Sequence, residues 1–248
     1  MQNLICLLKR TIGMLFLLLL LSNFLRSQEM SIPSPTPNPA DLTWDGESLW
    51  VVDAKEPIVY KVDTDQGEVI DRMTLINQST GVAWDGKYLW TCTDQSTSLY
   101  LYDVARKTLA DTVMINLDNI KNSDKVVLKW LAWDGEFLWA SYFAGYSSRF
   151  IQIDIKTGKA INSFYSDSAP RGIAAQDEYV WSVCYNGPEK AALIDQRVMS
   201  QDPVKLFSSR KFLQQTPSQE PYGLAFDGSY FWSADASTQR IYRVQWEQ

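Results

Sequence analysis

The chain has 248 residues, a formal net charge of −6 and no histidine. Without histidine it has no Ser-His-Asp triad, Cys-His pair or histidine-ligated metal, so any catalysis must use other side chains or backbone groups. Its acidic surface repels a phosphate backbone, and we therefore expect no nucleic-acid partner.

The first 27 residues have the layout of a secretory signal peptide. Lys9 and Arg10 precede an apolar run from 12 to 21, and the polar run SNFLRS follows. The apolar run is short for a bilayer span, so we predict cleavage after Ser27, with an uncleaved membrane anchor as the alternative. Removing residues 1–27 takes away three basic residues and no acidic one, which leaves 20 basic and 29 acidic residues and a net charge of −9. We expect a secreted or periplasmic protein with no stable membrane span after cleavage.

A block with the pattern Trp-Asp-Gly, three further residues and Trp recurs along the rest of the chain. The copies read LTWDGESLW, VAWDGKYLW, LAWDGEFLW, the degraded IAAQDEYVW, and LAFDGSYFW. Their final tryptophans are Trp50, Trp90, Trp139, Trp181 and Trp232. The spacing of these tryptophans, 40 to 51 residues, is typical of propeller blades and helical repeats. Five copies predict five structural units.

The pattern within each copy favours strands over helices. Asp-Gly is a turn signal, and the run after it is rich in aromatic and β-branched residues. A second hairpin follows in most copies, as in IVYKVDTDQGEVI at 58–70 and FIQIDIKTGKAI at 150–161. We therefore predict an all-β, five-bladed β-propeller over residues 28–248, with four antiparallel strands in each blade.

The two ends of this domain are predicted to meet. The last copy supplies only three strands, the third of which covers 241–246. Residues near Glu29 to Ile32 should complete the last blade by pairing with that third strand, which would remove the exposed sheet edges of an open fan. We predict that most of the tryptophans are core residues, and that Cys92 and Cys184 are buried thiols on separate blades.

Strand order places the loops before the first strands and after the second strands on one face of the disc. The positions that lead into the first strands differ from copy to copy while their flanks repeat, which suggests individual roles. The predicted ligand-binding residues at this channel mouth are Asp41, Thr80, Lys129, Trp130, Tyr142, Arg171, Tyr185 and Tyr222. Mixed charges and aromatic rings suit a small polar or peptide ligand. The alternative is that they are ordinary loop residues around a water-filled channel.

The loops after the second strands add further residues to this face: Asp53, Lys55, Asp94, Tyr142, Tyr185, Asn186 and Asp235. Aspartate commonly caps turns, and a calcium site needs several converging oxygens. We therefore predict no metal and no cofactor.

The combined pattern resembles the WDG-type repeats of secreted five-bladed propellers, including relatives of the plant-type glutaminyl cyclotransferases. The likeness covers nearly the whole mature chain. It implies a five-bladed propeller and a cyclisation reaction in which a glutamate at the start of a first strand transfers a proton. The corresponding segments here read PADL, STGV, KWLA, RGIA and YGLA, without a glutamate. Glu220, three residues before Gly223, is the nearest.

Three functions follow from these observations. The leading one is a monomeric secreted propeller that binds a small polar or peptide ligand, or a protein partner, at the channel mouth. The second is a glutaminyl cyclotransferase-like enzyme that uses Glu220 or Asp41 as acid and base. The third is a lactonase or hydrolase with a metal held by channel carboxylates.

Overall fold

The computed structural model describes residues 31–118, 120, 126–144, 147–166, 169–176, 179–186, 191–198, 211–216 and 218–245. These residues form five four-stranded antiparallel sheets and no helix. The all-β propeller class predicted from the repeat is confirmed. The predicted signal peptide lies outside the described residues, and no helix within them is long and apolar enough to span a bilayer.

The strands follow the repeats in chain order. After β1 (Ser31–Pro33), sheet 1 contains β2 (Pro39–Trp44), β3 (Leu49–Asp53), β4 (Ile58–Val62) and β5 (Val69–Thr74). Sheet 2 contains β6 (Gly81–Trp84), β7 (Tyr88–Cys92), β8 (Ser98–Asp103) and β9 (Thr108–Met114). Sheet 3 contains β10 (Val127–Trp133), β11 (Leu138–Ala144), β12 (Ser147–Asp154) and β13 (Lys159–Ser166). Sheet 4 contains β14 (Pro170–Gln176), β15 (Tyr179–Asn186), β16 (Ala191–Val198) and β17 (Lys211–Thr216). Sheet 5 contains β18 (Pro221–Phe226), β19 (Tyr230–Asp235) and β20 (Arg240–Gln245), with β1 as its fourth strand.

The first strands of the five sheets meet around a common axis. Each of β2, β6, β10, β14 and β18 contacts the next in that order, and β18 contacts β2. The apolar side chains between neighbouring sheets form the core, so each sheet depends on its neighbours for burial.

The predicted closure by an N-terminal strand is confirmed for residues 31–33. Ser31 pairs with Tyr242, and Pro33 pairs with Arg240. The Arg240 guanidinium donates to the Ser31 hydroxyl at 2.7 Å and to the Ser31 carbonyl at 2.6 Å. Ile32 is buried in the apolar cluster between sheets 5 and 1. β1 therefore fastens the last sheet by backbone pairing, a polar clamp and apolar burial, while Glu29 lies outside the described residues.

The repeated aspartate explains why the motif keeps its spacing. In sheet 2, Asp85 Oδ1 accepts from the backbone N–H groups of Lys87 and Tyr88 at 2.8 and 2.7 Å, and Oδ2 accepts from Trp90 Nε1 at 2.7 Å. The same indole-to-aspartate bond joins Trp50 to Asp45, Trp139 to Asp134 and Trp232 to Asp227, at 2.6 to 2.7 Å. One carboxylate thus closes the turn and satisfies a buried indole, so this part of the motif reports the fold rather than a reaction.

The final tryptophans of the copies are buried, as predicted. Cys92 and Cys184 are free, buried thiols on β7 and β15, which also agrees with the prediction. Burial raises the pKa of Cys92 far above its ordinary value, because a thiolate there would lose its hydration. This thiol is therefore unreactive at neutral pH.

Candidate functional site

The first strands approach one another most closely at one repeated position, immediately before the first core residue of each strand. We call this the axial position, and its five occupants are Asp41, Gly81, Trp130, Gly172 and Gly223. The pairing register shifts beside this position in sheets 1, 3, 4 and 5. A bulge re-aims side chains, and here it turns this part of the chain toward the axis.

The three axial glycines leave room for the other two side chains. A Cβ atom on Gly172 would lie 2.2 Å from the carbonyl carbon of Gly223. One on Gly223 would lie 2.6 Å from Leu42 N and 2.8 Å from Asp41 Oδ1, and φ of Gly223 is +71°. The strands therefore converge so closely that only glycine fits at these positions.

Asp41 is completely buried at this convergence. Its Oδ2 atom accepts from the backbone N–H groups of Val82 at 2.9 Å and Leu131 at 3.0 Å, so one carboxyl joins the first strands of sheets 1, 2 and 3. Burial raises the pKa of Asp41 well above its usual range, although these backbone donors act in the opposite direction. Asp41 holds the centre of the fold together and does not line either cavity described below.

Trp130 occupies the axial position of sheet 3 in a left-handed conformation, with φ of 42°. Its backbone N–H donates to Thr80 O at 3.2 Å, and its indole N–H donates to Ala40 O at 3.2 Å. A large residue with positive φ is rare and costs about 1–3 kcal/mol. We call Asp41 and Trp130 the septum. Along the first strands it lies between the starts, which line one cavity, and the ends, which line another.

The cavity at the start of the first strands, the upper cup, has a volume of about 360 Å³. Its lining comes from the loop before β2, the starts of first strands and the loops after second strands. The residues are Pro37, Asn38, Pro39, Ala40, Ala54, Lys55, Thr80, Asp94, Lys129, Trp130, Tyr222 and Ala236. The structure thus brings together four of the predicted binding residues, Thr80, Lys129, Trp130 and Tyr222, in one cavity.

The remaining predicted residues lie in different places. Arg171 stands next to the cup, where its Nη1 donates to the Tyr222 hydroxyl at 3.0 Å and its guanidinium carbon lies 5.2 Å from the Tyr222 ring centroid. Tyr142 is fully buried in sheet 3, with its hydroxyl 3.1 Å from Ser163 Oγ. The side chain of Tyr185 lies outside the described residues. Glu220 is exposed and is not part of the lining, although its backbone N–H donates to Asp235 Oδ2 at 3.1 Å.

The sequence placed Lys55 and Asp94 on this face, although not among the predicted ligand-binding residues, and it gave no reason to include the Pro37–Pro39 loop. Lys55 and Asp94 follow the second strands of sheets 1 and 2, a loop set known to reach this face, but their neighbours read as ordinary turns. The loop before β2 corresponds to the loops that precede the other first strands, and nothing in its sequence marks it as part of a cavity wall. Only the folded chain shows that it forms part of the wall.

Positive charge predominates at the upper cup. Lys55 and Lys129 line it with a single acidic residue, Asp94, among the described residues. The Lys129 ammonium lies 5.7 Å from the Trp130 ring centroid, a cation–π distance. Arg171 adds a further positive charge beside Tyr222. By contrast, the chain as a whole has a negative net charge. The cup therefore attracts an anionic group while most of the surface repels it.

Two other aspartates on this face serve as turn caps, as predicted. Asp53 Oδ1 accepts from the backbone N–H groups of Lys55 at 2.7 Å and Glu56 at 3.0 Å, and its other oxygen accepts from the Thr36 hydroxyl. Asp235 accepts from Ser218, Ser237 and several backbone N–H groups. Burial alone would raise the pKa of Asp235, but these donors outweigh it and hold the pKa below its usual range. Among the described residues, no group of three or more Cys, Asp or Glu side chains could hold a metal ion.

A second cavity, the lower cup, lies at the ends of the first strands and has a volume of about 330 Å³. Its aromatic lining is formed by Trp44, Trp84, Trp133 and Phe226, which occupy the same position in four copies. Each is half-buried, so these tryptophans are less enclosed than the core prediction implies. The sequence analysis did not identify this cup, because the same tryptophans also fit a core pattern.

No family model matches the chain, and no curated protein matches it. Among solved structures, it is similar to a glutaminyl cyclase from Myxococcus xanthus, with a TM-score of 0.60, 10% identity and coverage of 87% of this chain and 93% of that one. It is also similar to a chain of a nidogen/laminin complex, with a TM-score of 0.54, 14% identity and coverage of 84% and 76%. For the hydrazine synthase of Kuenenia stuttgartiensis, the TM-score is 0.52, the identity 16% and the coverage 84% and 77%. At these identities the likeness shows a shared β-propeller fold.

Proposed function

We propose that this protein is an exported ligand-binding β-propeller whose upper cup takes a small polar ligand or peptide that carries a carboxylate. The observation that supports the proposal best is the pair of lysines, Lys55 and Lys129, in a cavity walled by Trp130 and Tyr222. A volume of about 360 Å³ lies at the small end of ligand pockets, which are usually about 300–1,000 Å³.

The cup offers a distinct place for each part of such a ligand. The ammonium groups of Lys55 and Lys129 suit a carboxylate, because charge-assisted hydrogen bonds are stronger than neutral ones. The rings of Trp130 and Tyr222 suit an apolar body, and Asp94 suits a hydrogen-bond donor or an ammonium group.

The test uses residues 28–248 and probes that come in matched pairs. Short peptides and aromatic carboxylic acids are compared with their amides by saturation-transfer NMR, and the compounds that bind are measured by calorimetry. We expect the acids to bind at least about tenfold more tightly than the amides, since a charge-assisted hydrogen bond contributes about 1.5–3 kcal/mol. Equal binding of acid and amide, or binding of neither, would contradict the proposal.

Two variants locate the binding. Lys129→Ala should weaken binding of the acid by about 10- to 100-fold and leave binding of the amide nearly unchanged. Lys87→Ala is the matched control, because Lys87 lies in the WDG turn of sheet 2, at the other end of the first strands, over the ring of Tyr88. An equal loss in both variants would argue for a general effect of surface charge.

The second candidate function is a glutaminyl cyclotransferase-like reaction, which the resemblance of the repeats and the fold of the Myxococcus xanthus protein favour. Asp41 is fully buried and Glu220 is not part of the lining, so we propose Asp94, the one carboxylate of the described lining, for the proton transfer. Incubation with N-terminal glutaminyl peptides decides between binding and turnover. Product above the uncatalysed rate that disappears in Asp94→Asn would establish the enzyme.

The third hypothesis, a carboxylate-metal hydrolase, requires several converging ligands, and the described residues provide no such cluster. We further propose that residues 1–27 direct export and are removed, and that the five sheets make a closed five-bladed monomer. N-terminal sequencing of the exported protein and sedimentation analysis test these two points.

A further inference from the structure

The WDG tryptophans divide into two classes by their hydrogen bonds. The second tryptophan of four copies donates its indole N–H to the aspartate of its own turn. The first tryptophans, Trp44, Trp84 and Trp133, donate their indole N–H to no group within the part of the chain that the structure describes. Three indole donors therefore belong to residues that line the lower cup and have no protein acceptor there. None of these three Nε1 atoms is a fully buried donor, so each is accessible and can donate to a ligand.

The degraded fourth copy contributes a different surface to the same cavity. Where the other copies have Trp-Asp or Phe-Asp, it has Ala175 and Gln176, and both line the lower cup. Alanine leaves open the space that a fourth tryptophan would fill. The Gln176 amide, both a donor and an acceptor, has no hydrogen-bond partner among the described residues. The fourth copy thus interrupts the set of aromatic side chains that line the lower cup, and it places an amide at the gap.

The lower cup has no basic residue in its described lining, and its one acidic residue is already engaged. Asp227 Oδ1 accepts from the backbone N–H groups of Ser229 and Tyr230, and Oδ2 accepts from Trp232 Nε1. An anion would find no cation here, and the one carboxylate of the described lining already accepts three hydrogen bonds. The aromatic side chains and the amide favour a neutral ligand with both hydroxyl groups and an apolar face.

We propose that the lower cup binds the ring of a neutral pyranose sugar. A pyranose has C–H faces that stack on indole rings, and hydroxyl groups that accept from indole N–H groups and bond with the Gln176 amide. A volume of about 330 Å³ suits one or two rings rather than a long chain. The lower cup shares no lining residue with the upper cup, so the proposal does not depend on the function proposed for that cup.

The experiment titrates residues 28–248 with methyl glucoside, methyl galactoside, methyl mannoside, N-acetylglucosamine, cellobiose and chitobiose. Tryptophan fluorescence and saturation-transfer NMR report binding. We expect at least one of these sugars to saturate the protein below about 10 mM, the range of weak single-site binding, and glucuronate to bind more weakly. If none of the neutral sugars saturates the protein at that concentration, the proposal is overturned.

Variants assign the binding to this cup. Gln176→Ala removes the amide, and Trp84→Phe removes one indole donor while it keeps an aromatic ring. Each substitution should weaken binding of the sugar several-fold. Ala175→Trp restores the residue found in three other copies and should abolish binding by filling the gap. Circular dichroism confirms folding, and the two smaller substitutions remain decisive if Ala175→Trp does not fold. Lys129→Ala, in the upper cup, is the control and should leave sugar binding unchanged. Unchanged affinity in Gln176→Ala and Trp84→Phe would place the sugar elsewhere and overturn the assignment.

Discussion

Asp85 is the clearest place to test how the repeat holds each sheet together. Its carboxylate accepts from two backbone N–H groups of the turn and from the indole N–H of Trp90, which is 4% exposed. Asp85→Ala leaves that indole donor buried without its acceptor, a cost of about 1–3 kcal/mol. Loss of the turn bonds adds about 1 kcal/mol, because short side chains that bond nearby backbone N–H groups stabilise turns. We expect the free energy of unfolding to fall by about 2–4 kcal/mol.

Differential scanning calorimetry measures this effect. Each kcal/mol lowers Tm by about 2–4 °C for a domain of this size, so Tm should fall by roughly 5–15 °C. Asp65→Ala is the matched control, since Asp65 is exposed and only its backbone N–H takes part in the turn. We expect a change within about 0.5 kcal/mol for that control, as for most surface substitutions.

A double-mutant cycle separates the indole bond from the turn. Trp90→Phe removes the donor, and the double variant with Asp85→Ala removes both partners. We expect a coupling energy of about 1 kcal/mol or more between the two residues. A coupling energy near zero, or a Tm for Asp85→Ala equal to that of the Asp65→Ala control, would refute the role of Asp85 as the acceptor that joins the turn to Trp90.

Three further predictions concern the axis and the closing strand. Because burial raises the pKa of Asp41, its contribution to stability is fully present below the unfolded-state pKa of about 3.9 and is lost as pH rises through the higher folded-state pKa. Chemical denaturation from pH 4 to 8 should therefore show wild type losing stability relative to Asp41→Asn as pH rises, and parallel curves would contradict this. Gly223→Ala combines positive φ with backbone contacts below 3 Å, whereas Gly86→Ala has positive φ and no contact within 4 Å. We expect Gly86→Ala to cost about 1 kcal/mol and Gly223→Ala at least about 2 kcal/mol more by denaturant titration, and equal losses would contradict the close approach. Arg240→Ala removes the hydrogen bonds that hold β1 and should lower the free energy of unfolding by about 1–3 kcal/mol. The exposed Arg106→Ala is the control and should lower it by at most about 1 kcal/mol. Equal Tm values for the two variants would contradict the role of Arg240.

The fold could be predicted from the sequence because nearly every copy of the repeat has the same turn residues and the same core tryptophan. Asp-Gly gives the turn, the following tryptophan gives a buried residue between sheets, and the number of copies gives the number of sheets. The pairing of Ser31 with Tyr242 was also predictable, since the last copy has only three strands. These features follow from local turn chemistry and from the need to cover a sheet edge.

The candidate site was only partly predictable. Thr80, Lys129, Trp130 and Tyr222 line the upper cup because strand direction alone determines which loops share a face. The burial of Asp41 depends on how closely the first strands converge, and the bulges and three axial glycines beside it carry no simple sequence signal. Tyr142 is buried instead in the core cluster between sheets 2 and 3. The lower cup escaped prediction because a half-buried tryptophan and a core tryptophan look alike in sequence.

The crystal structure of residues 28–248 with the tightest-binding carboxylic acid is the most direct test of the proposed function. We predict that the acid occupies the upper cup, with its carboxylate about 3 Å from the ammonium of Lys129 or Lys55 and its apolar part against Trp130. An empty upper cup, with the acid bound elsewhere on the protein, would contradict it.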